Sequence, residues 1–232
     1  MAANQGAPGV DGVTIDALAA DGVPAVQEFL GELARRLRDR SYRPAPLRRV
    51  WIPKPGKPGQ QRPLSIPTVA DRVVMTAAKL ILEPIWEADF LPVSFGFRPR
   101  RSAHGALEVV RVEANRGRDW VLDADVSDCF DKLDHDHLMS SIGLFPARGM
   151  VRAWLKAGVF EPGKGFAPTE DGSPQGGVIS PLLLNVALHG LEEAAGVRYR
   201  TGASAARIER NHPVVIRYAD DRAPRTLKEG PM

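Results

Sequence analysis

An α+β fold is predicted for this chain from three features of its sequence. Several segments carry apolar residues at helical spacing, two short β-type runs flank a Pro/Gly-rich tip, and helices and strands do not alternate as a parallel α/β sheet requires. With 232 residues, 44 % of them hydrophobic, the chain is long enough to bury a core as one or two domains. No apolar run approaches the roughly 18–20 residues of a membrane span, and no basic segment leads into an apolar one at the N-terminus. A cytoplasmic protein without a membrane partner is therefore expected. The single Cys129 rules out an internal disulfide and a cysteine-based zinc cluster, and its place beside Phe130 suits burial. No internal repeat or low-complexity tract interrupts the pattern.

The elements follow in order. Pro24 suits the first turn of a helix in which Val26, Phe29, Leu30, Leu33 and Leu37 share an apolar stripe, leaving Arg35, Arg36 and Arg38 largely outside it. Residues 47–52 read as a strand, 53–61 as a hairpin tip and 62–66 as the returning strand. Thr68 with Asp71 makes a capping pair for the next helix, whose Val73, Val74, Ala77, Leu80 and Ile81 are expected to face the core before Pro84 ends or kinks it. Ser102 is placed to cap a helix running through Leu107, Val110 and Val112 towards Asn115-Arg116-Gly117. Short helices are expected around Leu138-Met139 and at 151–156, mostly loop at 162–177, and one helix at 179–194 with Pro181 in its first turn.

Net charge is only +3, but its distribution is uneven. Between Arg35 and Arg62, ten basic residues (Arg35, Arg36, Arg38, Arg40, Arg43, Arg48, Arg49, Lys54, Lys57 and Arg62) stand against the single acid Asp39. That excess suits contacts to phosphates whose strength falls with salt, with solvated surface charge as the plain alternative. Arg98, Arg100 and Arg101, then Arg116 and Arg118, extend the track. His135 and His137 flank Asp136 at a spacing that keeps them off a shared helix face, so surface or capping roles are expected rather than a metal site. His104, His189 and His212 carry no better signal, and Met75, Met139 and Met150 read as packing residues.

The chemistry is concentrated in acids. Tyr218-Ala219-Asp220-Asp221 follows the apolar run Val214-Val215-Ile216, a pattern of a strand entering a hairpin turn, because Asp tolerates turn conformations. Alone, such a pair is usually a solvated loop. Upstream, the run from Trp120 to Val126 reads as a strand with Asp123 and Asp125 on one face and Trp120, Leu122, Ala124 and Val126 on the other. Should the two strands be neighbours, Asp125 and Asp220 share a site. Gathered carboxylates repel one another unless a base or a divalent cation neutralises them, and Mg²⁺ prefers such hard oxygen ligands. Two such ions roughly 3.5–4 Å apart activate an attacking hydroxyl and stabilise a leaving phosphate.

Several further motifs stand in one order. Asp125-Val126-Ser127-Asp128-Cys129-Phe130-Asp131-Lys132-Leu133-Asp134-His135 is similar to the first catalytic motif of reverse transcriptases, an Asp with an aromatic five positions later. Tyr218-Ala219-Asp220-Asp221 resembles their catalytic hairpin. Ser173-Pro174-Gln175-Gly176-Gly177-Val178-Ile179-Ser180-Pro181-Leu182-Leu183 resembles the template-and-nucleotide motif of the bacterial group II intron branch. Arg62-Pro63-Leu64-Ser65-Ile66-Pro67, Asp71-Arg72-Val73-Val74 and Ser94-Phe95-Gly96-Phe97-Arg98-Pro99 look like that branch's fingers and palm blocks, and Asn4 through Gly12 like its N-terminal extension. The resemblance spans residues 4–221.

It implies a right-hand polymerase with fingers and palm: 1–85 as fingers with an N-terminal extension, 86–134 as the first part of the palm, 135–172 as a connecting segment, 173–221 as the second part of the palm, and 222–232 as an atypical tail. The implied activity is RNA-directed DNA synthesis, extending a DNA or RNA primer with dNTPs on an RNA template, with group II intron RNA as a partner. Asp125, Asp220 and Asp221 are the implied catalytic metal ligands for two Mg²⁺ ions, with Mn²⁺ as a substitute. Lys54 and Arg62 are implied at the triphosphate, or Lys57 in place of Lys54. Phe130 is implied beneath the sugar, and Gln175 with Gly176 at the nucleotide and template. Arg35, Arg36, Arg48, Arg49, Arg98 and Arg100 are expected on the nucleic-acid track. The pattern departs after Asp221, where Pro224 and polar neighbours make a poor second strand. An incomplete palm and an absent thumb are therefore expected. The alternatives are an inactive truncated remnant that retains RNA binding, or a defence- or diversity-associated reverse transcriptase. Oligomeric state is not legible.

Overall fold

The computed structural model describes residues 6–54, 56, 58–118, 120–124, 126, 128–200, 207–208 and 212–219, with backbone alone at 199–200 and 207–208. In chain order the helices are α1 (Ile15–Ala20), α2 (Gly22–Arg38), α3 (Val69–Asp89), α4 (Ala103–Ala114), α5 (His135–Ile142), α6 (Arg148–Leu155), α7 (Ser180–Ala187) and α8 (Leu191–Ala194). The strands are β1 (Leu47–Pro53), β2 (Gln61–Ile66), β3 (Val159–Glu161), β4 (Gly165–Ala167), β5 (Tyr199–Arg200) and β6 (Arg207–Ile208). Mixed helices and small sheets make this an α+β chain. It forms two compact units, Met1–Leu82 with Phe130–Ser180, and Glu83–Cys129 with Pro181–Met232. Among the described residues no helix is long and apolar enough to cross a membrane.

The first unit is built on a sheet of order β2-β1-β3-β4. β1 and β2 pair antiparallel with Val50 opposite Leu64, as the flanking apolar runs predict. The turn and second strand of the β3–β4 hairpin lie in the stretch 162–177, expected to be mostly loop. Its turn has Pro162 in second place and Gly163 at φ 84° in third, with Lys164 N donating to Glu161 O at 3.0 Å, the arrangement of a type II turn. The Pro-Gly dipeptide was the legible signal, but strands of three residues are too short to show alternation. β1 then pairs parallel to β3, placing Leu47 opposite Val159. Both are buried, with Val151, Trp154 and Leu155 of α6 and Leu138 and Met139 of α5.

Helix phase is where sequence periodicity misleads. Thr68 and Asp71 do cap α3, with Asp71 N donating to Thr68 Oγ1 at 3.1 Å. The helix nevertheless buries Val69, Asp71, Arg72, Val74, Met75, Ala78 and Leu82. It leaves Leu80 and Ile81 exposed at 69 % and 62 %, and runs on through Pro84 to Asp89. Apolar residues occur on both sides of α3, so the spacing alone does not say which side is inward. Polar anchors in its first turn decide that: Asp71 receives the Tyr42 hydroxyl at 2.5 Å, and Arg72 reaches the carbonyls of Pro67 and Ala7. The N-terminal segment is thereby fastened to the start of α3.

Tyr42, Asp71 and Trp154 form a buried chain, with Trp154 Nε1 donating to the Tyr42 hydroxyl at 3.0 Å. Burial, and next the Asp71 hydrogen bond, push the Tyr42 phenol far above its ordinary 10.0. The folded phenol thus keeps its proton where the unfolded one loses it. This contribution to stability is complete below pH 10 and declines as pH rises beyond it. Tyr42→Phe is expected to cost about 1–3 kcal/mol at neutral pH, because buried Asp71 loses a donor. It should also flatten the stability loss above pH 10, as read from urea unfolding at pH 7 to 11.

In the second unit α4 is capped as predicted, Ser102 Oγ accepting from Gly105 N at 3.2 Å. The expected helix at 179–194 is divided into α7 and α8 by Gly190 at φ 94°. Among the described residues two expected strands do not form. Residues 120–124 and 126 are irregular, with Trp120 97 % and Leu122 91 % exposed, and residues 214–216 pair with nothing described. Alternation reports what would face a sheet. A strand also needs a neighbour for its N–H and C=O groups, and none of the described residues supplies one to either run.

Candidate functional site

In the first unit three stretches far apart in sequence converge. Gly172 N donates to Leu133 O at 2.9 Å and Ser173 N to Phe130 O at 2.6 Å, tying the turn at Phe130 and Asp131 to the loop before Gln175. Buried His135 closes the tie, its Nε2 standing 2.7 Å from Gly172 O. Ser65 N of β2 donates to Gln175 O at 2.7 Å. Gly176 adopts φ 111°, and a Cβ there would lie 2.6 Å from Ser65 O, so only glycine fits this close approach. Gly172 is similarly confined, 2.7 Å from Asp131 O by the same construction.

These contacts border a half-open cavity of about 280 Å³ whose lining includes Arg49, Ser65, Asp131, Asp171, Ser173 and Gln175, with Leu47 and Val159. Gln175 Nε2 stands 3.5 Å from Asp131 Oδ2. Arg49 brings a cation, and its Nε is buried without a hydrogen-bond partner among the described residues. The cavity therefore combines a cation, amide and hydroxyl groups, two carboxylates and apolar side chains, which suits a polar ligand.

In the second unit the segment before Asp220 is fixed from both sides. Arg217 bridges Ser94 in parallel, with Arg217 N donating to Val93 O at 3.0 Å and Phe95 N to Arg217 O at 2.8 Å. Ala219 has φ 54°, a left-handed turn conformation, and packs so tightly on Gly96 that a Cβ on Gly96 would come within 2.1 Å of Ala219 N. The hairpin turn anticipated at Asp220 and Asp221 lies outside the described residues, which end at Ala219.

The expected site residues fall into three groups. Asp125, Asp220 and Asp221 lie outside the described residues, as does Lys57. Among the described residues no group of three His, Cys, Asp or Glu side chains gathers that could hold a metal. Of the other expected residues Gln175 lines the cavity, while Phe130 adjoins it through its backbone bond from Ser173 and Gly176 packs on Ser65; Lys54 and Arg62 are exposed further along the β1–β2 hairpin, where Lys54 N donates to Gln60 O.

The basic track is less uniform than its sequence suggests. Arg98 is a correction: it is 7 % exposed, pairs with Glu87 at 2.8 Å and donates to the carbonyls of Leu91 and Ser94, so its guanidinium serves the fold and not a phosphate. Arg48 donates to Pro8 O, Arg36 lies over the Tyr42 ring, and Arg35 pairs with Glu32 and Asp39 while remaining exposed. Arg100 is exposed. Expected at the surface or as a cap, His135 is instead buried, and Cys129 is buried as expected. Sequence reading missed Asn185, Glu192 and Arg217, all buried. A lone Asn within Leu182-Leu183-Leu184-Asn185-Val186 was the one signal of a polar duty inside an apolar helix.

Comparison with known proteins now gives these motifs a lineage. The family model for reverse transcriptase (RNA-dependent DNA polymerase) matches residues 52–223. Protein YkfC of Escherichia coli (strain K12) is 41 % identical over 204 residues, covering 84 % of this chain and 51 % of that protein. Group II intron-encoded protein LtrA of Lactococcus lactis subsp. cremoris is 39 % identical over 171 residues, covering 72 % of this chain and 28 % of that protein. The chain thus spans about half the length of the first relative and less of the second. A chain of a partial Cas6-RT-Cas1--Cas2 complex is 22 % identical, with a TM-score of 0.47, covering 84 % of this chain and 32 % of that one. On the family match and these relatives, the chain belongs to the reverse transcriptase (RNA-dependent DNA polymerase) family, in its group II intron-encoded branch.

Proposed function

We propose that this chain performs the nucleotide-adding step of an RNA-directed DNA polymerase. A primer 3′-hydroxyl attacks the α-phosphate of a dNTP paired to an RNA template, a phosphodiester forms, the bond between the α- and β-phosphates breaks, and pyrophosphate leaves. Positioning and charge neutralisation supply most of the catalysis in such transfers. The observation that carries the reading is the cavity of the first unit, where β2, the turn at Phe130 and Asp131, and the Gln175 loop meet.

We assign this first unit to the fingers side and the second to the palm. Gln175 would offer its amide on the template side, and Gly176 would allow the backbone close approach to the nucleotide. Phe130 would lie under the sugar and exclude a 2′-hydroxyl. Lys54 and Arg62 would meet the triphosphate, and exposed Arg35 and Arg100 with half-buried Arg36 and Arg49 would follow the RNA, of the group II intron class. Asp125, Asp220 and Asp221 are an all-oxygen donor set that fits Mg²⁺ or Mn²⁺. When bound, such ions supply activation of the hydroxyl and neutralisation of the phosphates.

Extension of a labelled DNA primer on an RNA template tests the proposal. Activity is expected with Mg²⁺, to stop on chelation with EDTA and to resume on addition of Mg²⁺ or Mn²⁺. Phe130→Val is expected to raise ribonucleotide use relative to dNTP use by about 10- to 200-fold, the scale on which a pocket discriminates one small group. An unchanged sugar preference would remove Phe130 from this role. Salt-sensitive RNA binding with no templated extension would mark the chain as an RNA-binding remnant instead.

A further inference from the structure

We propose that Glu192, Arg217 and Asn185 form a buried clamp that positions Asp220, by locking the segment that leads into it against the stretch around Gly96. The inference rests on reading Asp220 as a metal-holding carboxylate and adds the residues that place it.

The clamp begins with charges that are costly to bury. Glu192 is 1 % and Arg217 6 % exposed, and their side chains meet as an ion pair, Arg217 Nε to Glu192 Oε1 at 3.7 Å. That distance is too long for a hydrogen bond, and both Glu192 oxygens and Arg217 Nε lack a hydrogen-bond partner among the described residues. Burial pulls the Arg217 guanidinium below its ordinary range, and the Glu192 charge opposes the shift. Buried ion pairs often stabilise a core no more than apolar pairs of similar volume do, so the burial of these two groups alone is weak evidence of a stabilising role. Their geometry indicates positioning instead.

Arg217 Nη1 donates to Asn185 Oδ1 at 3.2 Å, and Asn185 Nδ2 donates to Gly96 O at 2.8 Å. One amide on α7 therefore holds both segments of the bridge: its oxygen takes the residue three before Asp220, and its nitrogen takes the residue that faces Ala219. The backbone bonds of Arg217 to Val93 and Phe95 lie between these two grips. Glu192, on α8, completes the set by holding the guanidinium from another element. Side chains from two helices thus fix the last described residues before Asp220, and a carboxylate that must meet a metal with little freedom gains from such preorganisation.

The test uses the full chain with Asn185→Leu, and Glu192→Gln as a milder second variant, beside Asp220→Asn as reference. Hydrogen exchange at the Phe95 and Arg217 amides is expected to quicken about tenfold in both clamp variants, the scale of one lost hydrogen bond, with α6 amides unchanged. Mn²⁺ binding, read by electron paramagnetic resonance without substrate, is expected to weaken about tenfold, as the ligand loses its fixed geometry. Primer extension should fall in kcat with little change in the dNTP KM. Even loss of protection across the chain, or unchanged Arg217 exchange, would overturn the clamp. Quickened exchange with Mn²⁺ affinity intact would show a merely structural network and overturn its positioning role. Wild-type Mn²⁺ binding by Asp220→Asn would instead overturn the reading of Asp220, and the positioning role with it.

Discussion

Asp220→Asn is expected to reduce Mg²⁺-dependent primer extension by at least about 10²–10³-fold, the usual cost of removing one group that stabilises transition-state charge. The substitution keeps the side-chain volume and removes only the negative charge, so a loss of turnover reports on electrostatics and not packing. Single-turnover extension at saturating dNTP, with melting followed in parallel, separates the two. Asp123→Asn is the matched control. It neutralises an acid three residues after exposed Trp120, itself exposed, and both extension and melting should stay at the wild-type level. Extension by Asp220→Asn within about threefold of wild type would be too small a change for a lost transition-state contact and would sink the metal-ligand role.

Gly96→Ala is expected to be the most damaging single methyl in the second unit. Its Cβ would stand 2.1 Å from Ala219 N, 2.6 Å from Ala219 Cβ and 2.7 Å from Ala219 Cα. Two of these three are backbone atoms, held by the Ser94–Arg217 bridge, and cannot swing aside as a long side chain would. Overpacking of this kind costs about 1–3 kcal/mol, and this site belongs at the upper end. Relief by displacement would move Ala219, and activity should fall further than stability. Gly149→Ala in α6 is the counterpart: nothing lies within 4 Å of its added Cβ, and a helical Gly-to-Ala change should stabilise by up to about 1 kcal/mol. Urea unfolding of both variants checks the contrast. Equal midpoints for Gly96→Ala and wild type would refute the close approach.

Much of the local structure was legible because its causes are local. Thr68 and Ser102 announced their helices through side-chain caps, and residues 47–66 announced a hairpin through two β-rich runs around a Pro/Gly tip. The short β3–β4 hairpin and the break at Gly190 were not anticipated, since three-residue strands carry no measurable period and a glycine within an apolar run does not declare its φ. Phase was harder still. Leu80 and Ile81 satisfy helical spacing as well as Ala78 and Leu82 do, and only the engagement of Asp71 and Arg72 turned the second set inward.

The basic residues teach the same lesson in charge. Arg98 and Arg100 are neighbours in one motif, yet one is held by Glu87 and two carbonyls inside the fold and the other is exposed. Sequence counts cations, but a guanidinium is available to a phosphate only when no internal acceptor has claimed it. The same blindness hid Asn185, Glu192 and Arg217, whose side-chain partners are 25 to 89 residues distant in the chain: Arg217 and Glu192 are separated by 25 residues, Arg217 and Asn185 by 32, and Asn185 and Gly96 by 89.

By itself the sequence determined the family, the order of its motifs, the chemical identity of the acids and the caps of its main helices, because residue type and short-range spacing carry that information. Tertiary structure alone decided that Asp131, Gln175 and β2 share one cavity and that Arg98 is structural. It also decided that the turn before Asp220 rests on Gly96 through a buried ion pair and one amide. Those outcomes depend on which backbone groups find partners across long chain separations and on which charges lose their water, and neither is written in any local stretch of residues.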